Sequence, residues 1–284
     1  MKLARPDIFH PRVVLAGWPR QPAGDGDDVG LVAALRHRGL HAHWLPWDDP
    51  DVARAHLVIL RATRDYAERL DEFLPWTSSV ANLLNAPSVV AWNADRGYLE
   101  DLDSRGVPTV PGEVSAPGQQ IRLPYAGRVF ISPTVGTGAR RFSDPSPAAA
   151  YIAERRQGGH SVVVQTAGPD VETVLIFLGG QPSHAFTSHD DVLRQGEPDF
   201  ETWEIGAAAL GAAAAACGVG IGELLCARAH LVGARLLELQ LVDPSLGWRR
   251  LDASARDRGQ RRFAVCVESA LERLGLGPFS HRRP

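Results

Sequence analysis

Residues 57–76 read LVILRATRDYAERLDEFLPW. Leu57 to Leu60 is a short apolar run, the composition of a strand buried on both faces. Charge follows at once, with Arg61, Arg64, Asp65, Glu68 and Arg69. The spacing of Leu70, Phe73, Leu74 and Val80 then predicts a helix over 66–84, bent or interrupted at Pro75. Toward the N-terminus, Val13 to Ala16 repeats the strand pattern and residues 29–38 the helical one, with Gly39 placed to cap it. Residues 41–44 and Val89 to Ala91 read as further strands. This β-α-β alternation specifies an open, mostly parallel sheet covered by helices. Charged side chains just past a strand end sit where such sheets bind ligands.

The rest of the chain changes character. Residues 95–105 read as a helix, followed by a loop rich in Pro and Gly up to Pro124. GRVFISPTVGTGARRF (127–142) reads as a strand running into a glycine-containing loop. A helix over 145–156 carries proline in its first turn, and 161–165 is a short strand. Strands over 172–178 and 181–187 meet at Gly179-Gly180, and strands over 226–231 and 235–241 meet at Gly233. An alanine-rich helix covers 204–217 and a last helix 261–274. Three α/β or α+β lobes follow, over 1–92, 93–167 and 168–284.

Composition narrows the function. The 284 residues are 44% hydrophobic and 22% charged, with a formal net charge of -3. No global basic field invites nucleic acid. No apolar run approaches membrane-spanning length, and the first residues lack the apolar stretch of a secretion signal. A cytoplasmic protein without a membrane partner is expected. Cys217, Cys226 and Cys266 are odd in number and lack metal-binding spacing. Lys2 is the only lysine among 30 basic residues, which leaves no ammonium in the body of the chain for a Schiff base or a phosphate-binding loop.

A series of motifs occurs in order: WDDP (47–50), LRATRDYAER (60–69), FLPW (73–76), NAP (85–87), WNADRGYL (92–99) and GVPTVP (106–111). SPTVGTGA (132–139), VVVQ (162–165), GGQPSHAF (179–186), ARAHLV (227–232) and LLELQLVDPSL (236–246) continue it. The series resembles the ATP-grasp family, in the branch of the O-ureido-serine cyclo-ligase of cycloserine biosynthesis, over about residues 12–275. The resemblance implies an α/β fold with an N-terminal parallel-sheet domain and two lobes clasping ATP and magnesium. It implies a ligase that activates a carboxylate as an acylphosphate for attack by an amine-type nucleophile. The substrate would be a small amino-acid-like or carboxylate molecule. Assembly into a homo-oligomer is left open.

By that resemblance, Arg96, Ser132, Thr134, Gly136, Gly138, Arg140, Gln165 and Glu172 fall at nucleotide-binding positions, and Arg228 and Glu238 at catalytic ones. Glu238, Gln240 and His230 fall at metal-ligand positions and His184 at a substrate-binding one, while Arg61, Arg64 (where the family has Trp), Asp65 and Tyr66 read as substrate-binding from their place after a strand end. Backbone N–H groups of the loop 134–140 are suited to phosphate. Glu238 and Gln240, two apart on one strand, share a face. The chain departs from the family pattern where Ser132 replaces a lysine, Arg96 replaces another, a third near Ser188 is neutral, and His230 replaces an aspartate. Imidazole suits zinc better than magnesium, yet His184, His189 and Asp190 add no recognised metal register. Glu238 could equally pair with Arg228 or Arg235. Two functions therefore stand: an ATP-dependent ligase or cyclo-ligase of specialised metabolism, or a repurposed ATP-grasp fold that does not use ATP and binds a metabolite or partner.

Overall fold

The computed structural model describes residues 10–119, 123, 127–168, 170–189 and 192–277. Pro124 and Asp190 lie outside them, as does the side chain of His189. The N-terminal part contains β1 (Arg12–Gly17), α1 (Leu31–His37), β2 (His41–Pro46), β3 (Leu57–Ala62), α2 (Leu70–Ser79) and β4 (Leu83–Leu84). Its strands are parallel in the order β2-β1-β3-β4. Alternate residues of β1 and β3 feed two cores, as the two-residue period of a strand requires. Val13, Leu15, Leu57 and Ile59 face one, and Val14, Ala16, Val58 and Leu60 face the other with Trp47, Tyr66 and Phe73.

Several expectations for this region need correction. The helix over 66–84 is shorter: residues 64–67 form a 3-10 turn, and Leu83 and Leu84 are the fourth strand. Pro75 lies inside α2 and does not interrupt it. Val89 to Ala91 is helical, within α3 (Pro87–Asn93). A short apolar run suits either state, and Pro87 in the first turn presets the helix. The helix expected from residue 95 begins later, as α4 (Tyr98–Ser104), since Asp95 bridges to Val135 instead.

The central sheet, ordered β5-β8-β6-β7, is antiparallel. It comprises β5 (Gly112–Ser115), β6 (Arg128–Pro133), β7 (Arg140–Phe142) and β8 (Val162–Ala167), backed by α5 (Pro145–Gln157). The Asp144 carboxylate caps α5 by accepting from the Ser146 N–H.

The C-terminal sheet is also antiparallel, ordered β11-β10-β9-β12-β13. Its strands are β9 (Glu172–Leu178), β10 (Gln181–His189), β11 (Val192–Gly196), β12 (Cys226–Val232) and β13 (Arg235–Gln240). Helices α6 (Phe200–Cys217) and α7 (Ala253–Arg273) both begin earlier than the sequence pattern suggested, where Asp199 and Asp252 cap them. One sheet face packs on α6 through Leu175, Phe177, Ala227 and Ala229. α7 packs with α1 and the opposite sheet face, so the two ends of the described chain share a core.

Strand β13 is the edge that matters for function. Its open backbone groups are met at Leu236 by the backbone of Pro108 and Val110 and farther along by side chains, which blunts the edge. Asn93 donates to the Leu239 carbonyl and accepts from the Leu241 N–H, and the Tyr98 hydroxyl accepts from the Leu239 N–H. Asn85 likewise donates to the carbonyls of Cys226 and Leu241. The NAP and WN motifs thus fix the strand that carries Glu238 and Gln240. No helix among the described residues is long and apolar enough to cross a membrane.

Candidate active site

A cleft of about 850 Å³ opens between the N-terminal lobe, the loop after β6 and the floor of the C-terminal sheet. Arg228 lies opposite Gln240, and His230 opposite Glu238, across the β12–β13 ladder. Residues directly opposite share a face, so these four side chains stand together on the cleft side of the sheet.

Glu238 is buried and fully engaged. Its Oε1 accepts from Arg96 Nη2 at 2.5 Å and from the Gly138 N–H at 2.7 Å, and its Oε2 accepts from the Gln240 amide at 2.9 Å. Burial pushes its carboxyl up, but Arg96 and then Arg228 outweigh this and hold it below the usual range. Arg96 is thus the ion-pair partner, rather than Arg228 or Arg235; Arg235 donates to the Thr109 carbonyl. Sequence gave no signal for this pair, whose members are 142 positions apart.

The loop 134–138 is pinned from both sides. The Thr134 carbonyl accepts from the Arg96 N–H, and Gly136 donates to the Ala94 carbonyl. Gly136 has φ +98° and passes so close to the N-terminal lobe that a Cβ there would lie 2.9 Å from Ala67. Glycine is needed at this point. Arg140 stacks on Phe142 and Tyr151.

A second buried network lies across the facing sheets. Glu172 accepts from His230 Nε2 at 3.1 Å and from Arg141 at 2.7 Å. Burial raises its carboxyl, but those hydrogen bonds bring it down to about 2. Phe130 and Val110 pack here on Val232 and Leu237. The Gln165 amide donates to the carbonyls of Val110 and Leu237.

Of the substrate-binding expectations, Tyr66 and Arg64 line the cleft, with Arg64 paired to Asp25 at 2.6 Å. Arg61 also reaches it, but its guanidinium is held by both oxygens of Asp28 and by the Pro244 carbonyl. Asp65 accepts from Trp47 Nε1 and pairs with Arg69. His184 donates through Nε2 to the Leu246 carbonyl and packs on Trp248, supporting the 244–248 turn from behind. The segment 25–28 was missed in the sequence, where its DGDD reads as a plain turn. Here Asp28 also accepts from Trp248 Nε1, and Asp27 from the N–H groups of Gly247 and Arg249.

Arg228 differs from every other cleft arginine on the β-sheet floor. Glu238 attracts it, yet no hydrogen bond or ion pair within 4 Å is formed to it by any described residue. Burial lowers its pKa. Buried polar atoms without partners include Tyr66 Oη, which lines the cleft, and Thr63 Oγ1, Arg96 Nη1, Ser132 Oγ and Gln165 Oε1, whose residues do not line it. Such atoms cost about 1–3 kcal/mol each unless something completes them.

Of these, Tyr66 Oη would meet a polar ligand held between the lobes. For magnesium the donor set is thinner. Glu238 and Gln240 would hold one ion shared with phosphate oxygens, whereas His230 is turned to Glu172. No group of three or more His, Cys, Asp or Glu suited to a metal occurs among the described residues.

A parallel-sheet lobe followed by two antiparallel lobes around such a cleft is the ATP-grasp arrangement. The fold matches D-alanine–D-alanine ligase of Bacillus anthracis, solved in complex with ATP. That match has TM-score 0.67 at 12% identity and covers 93% of this chain and 97% of the other. The ATP-grasp ligase PsnB, solved with a phosphomimetic precursor variant, Mg and ADP, matches with TM-score 0.56 at 14% identity over 92% of this chain and 100% of its own.

Closer likeness is found in the cycloserine branch. The crystal structure of D-cycloserine synthetase DcsG matches with TM-score 0.74 and 28% identity, covering 92% of this chain and 99% of its own. The cycloserine biosynthesis protein DcsG of Streptomyces lavendulae is 31% identical, over 87% of this chain and 95% of that protein. The family model for the D-cycloserine synthetase DcsG N-terminal domain matches residues 13–85. The chain belongs to the DcsG family of ATP-grasp ligase-fold proteins.

Proposed function

We propose that the chain is an ATP-grasp ligase or cyclo-ligase that forms an amide-type bond on a small amino-acid-like substrate. Arg228 carries this reading: a half-buried guanidinium that lines the cleft with no protein partner is a binding site for an anionic group. It is placed to neutralise the substrate carboxylate and the charge that gathers on it during acyl transfer. ATP, when bound, supplies the phosphoryl group that turns the carboxylate into an acylating agent. Gly136 and Gly138 would lie in the loop above the nucleotide. Arg64 and Tyr66 form the substrate-side wall.

Calorimetric titration with ATP, with and without magnesium, tests this reading. Micromolar magnesium-dependent binding that Glu238→Ala abolishes supports it, and an amino-acid panel then identifies the substrate by ADP release. No heat at millimolar ATP overturns it.

One observation favours a second reading. Arg96, Gly138 and Gln240 already engage both oxygens of Glu238, and apolar contact joins the two grasp lobes. A protein that binds a carboxylate metabolite on Arg228 without nucleotide would have that closed floor. It would give heat with small carboxylates and none with ATP.

A further inference from the structure

We propose that Asp243 is the proton acceptor for the attacking nucleophile in the cleft. The inference rests on the ligase reading. Asp243 follows β13 by three residues and lines the cleft beside Arg228, Gln240 and Tyr66. Its φ of 51° is the one positive value at a non-glycine residue among those described. Aspartate and asparagine enter that region at lower cost than other side chains that carry a Cβ. The turn swings the carboxylate out of line with the strand and toward the Thr63 backbone of the N-terminal lobe.

The groups facing it come from several elements. Arg61, Arg64 and Tyr66 face it from β3 and the turn beyond, Asp28 from the 25–28 segment and Cys226 from β12. Arg61 is already spent on Asp28. Asp243 has no ion pair of its own among the described residues. Burial is the largest influence on it; against the pull of Arg61, and with the repulsion of Asp28, it raises the carboxyl to about 7. A carboxylate half protonated near neutrality can both accept and release a proton.

In the step, the nucleophile's lone pair bonds to the acyl carbon of an acyl phosphate made from ATP. Its N–H or O–H proton passes to the Asp243 carboxylate, and phosphate leaves with the electrons of the broken C–O bond. Water later takes the proton from Asp243.

Hydroxylamine separates this role from the reading beneath it, because so strong a nucleophile traps an acyl phosphate as a hydroxamate without a base. The full chain is incubated with Mg-ATP and a panel of amino acids, with and without hydroxylamine. In Asp243→Asn, hydroxamate formation stays within about threefold of the unsubstituted protein, while the amide-type product falls about 10²- to 10⁴-fold. The fall in rate below about pH 7 expected of the unsubstituted protein also disappears. Asparagine accepts the same φ, and Asp243→Gly, which takes it freely, serves as the second variant.

Loss of both products in folded variants, or of neither, overturns the assignment. So does an unsubstituted protein whose rate does not fall between pH 8 and 6. If that protein yields no hydroxamate from any acid, the ligase reading fails and takes this one with it.

Discussion

Between the central and C-terminal sheets, the charges of the cleft are matched inside the protein: Arg96 and Gly138 meet Glu238, and Arg141 and His230 meet Glu172. Toward the N-terminal lobe, Arg228 and Asp243, both half-buried, and the buried Tyr66 line the cleft without an ion pair. The matched residues at the first end are the more deeply buried. At the first end they serve cohesion of the lobes. At the second, groups without an ion pair stand ready for a ligand, a pattern that trades stability for function.

Breaking the matched end should have the largest effect. Glu238→Ala leaves Arg96 buried and unpaired, a loss of about 3–5 kcal/mol. Urea unfolding followed by circular dichroism measures it. A loss under about 1 kcal/mol would mean that the pair does not hold this end closed, and the contrast would collapse.

Acid tests the same end with a smaller effect. Because the Glu172 carboxyl is depressed from 4.5 to about 2, its contribution is complete above about pH 4.5. It is lost as pH falls toward 2, and amounts to about 3 kcal/mol. Thermal melts between pH 6 and 2 should therefore converge for the unsubstituted protein and Glu172→Gln. Curves that stay parallel would show the network to be energetically idle.

The open end should respond differently. Arg228→Met removes a half-buried charge that has no partner, so stability should stay within about 1 kcal/mol. Binding of small carboxylates should weaken at least tenfold, as calorimetry would show. A destabilised variant would place Arg228 with the matched residues.

How much of this was legible beforehand differs by feature. Local chemistry announced the strands at 57–60, 172–178 and 235–241, the hairpin at Gly179-Gly180 and the shared face of Glu238 and Gln240. Each depends on neighbours a few positions away. The helix at 87–93 was misread because two adjacent valines fit a strand as well as a helix lying between two cores. The ordered motifs pointed to the family, and the 31% identical relative is in agreement. They did not reveal what the asparagines at 85 and 93 do, because the carbonyls they bond belong to strands far along the chain.

The sequence by itself determined how the chain departs from the family pattern it resembles: Arg96 and Ser132 where lysines are usual, and His230 where an aspartate is usual. Only the tertiary structure decided which charges neutralise one another and which face the cleft without a partner. Propensity and periodicity act over a few residues. Ion pairing and desolvation depend on distances of a few ångströms between segments that only the packed lobes bring together.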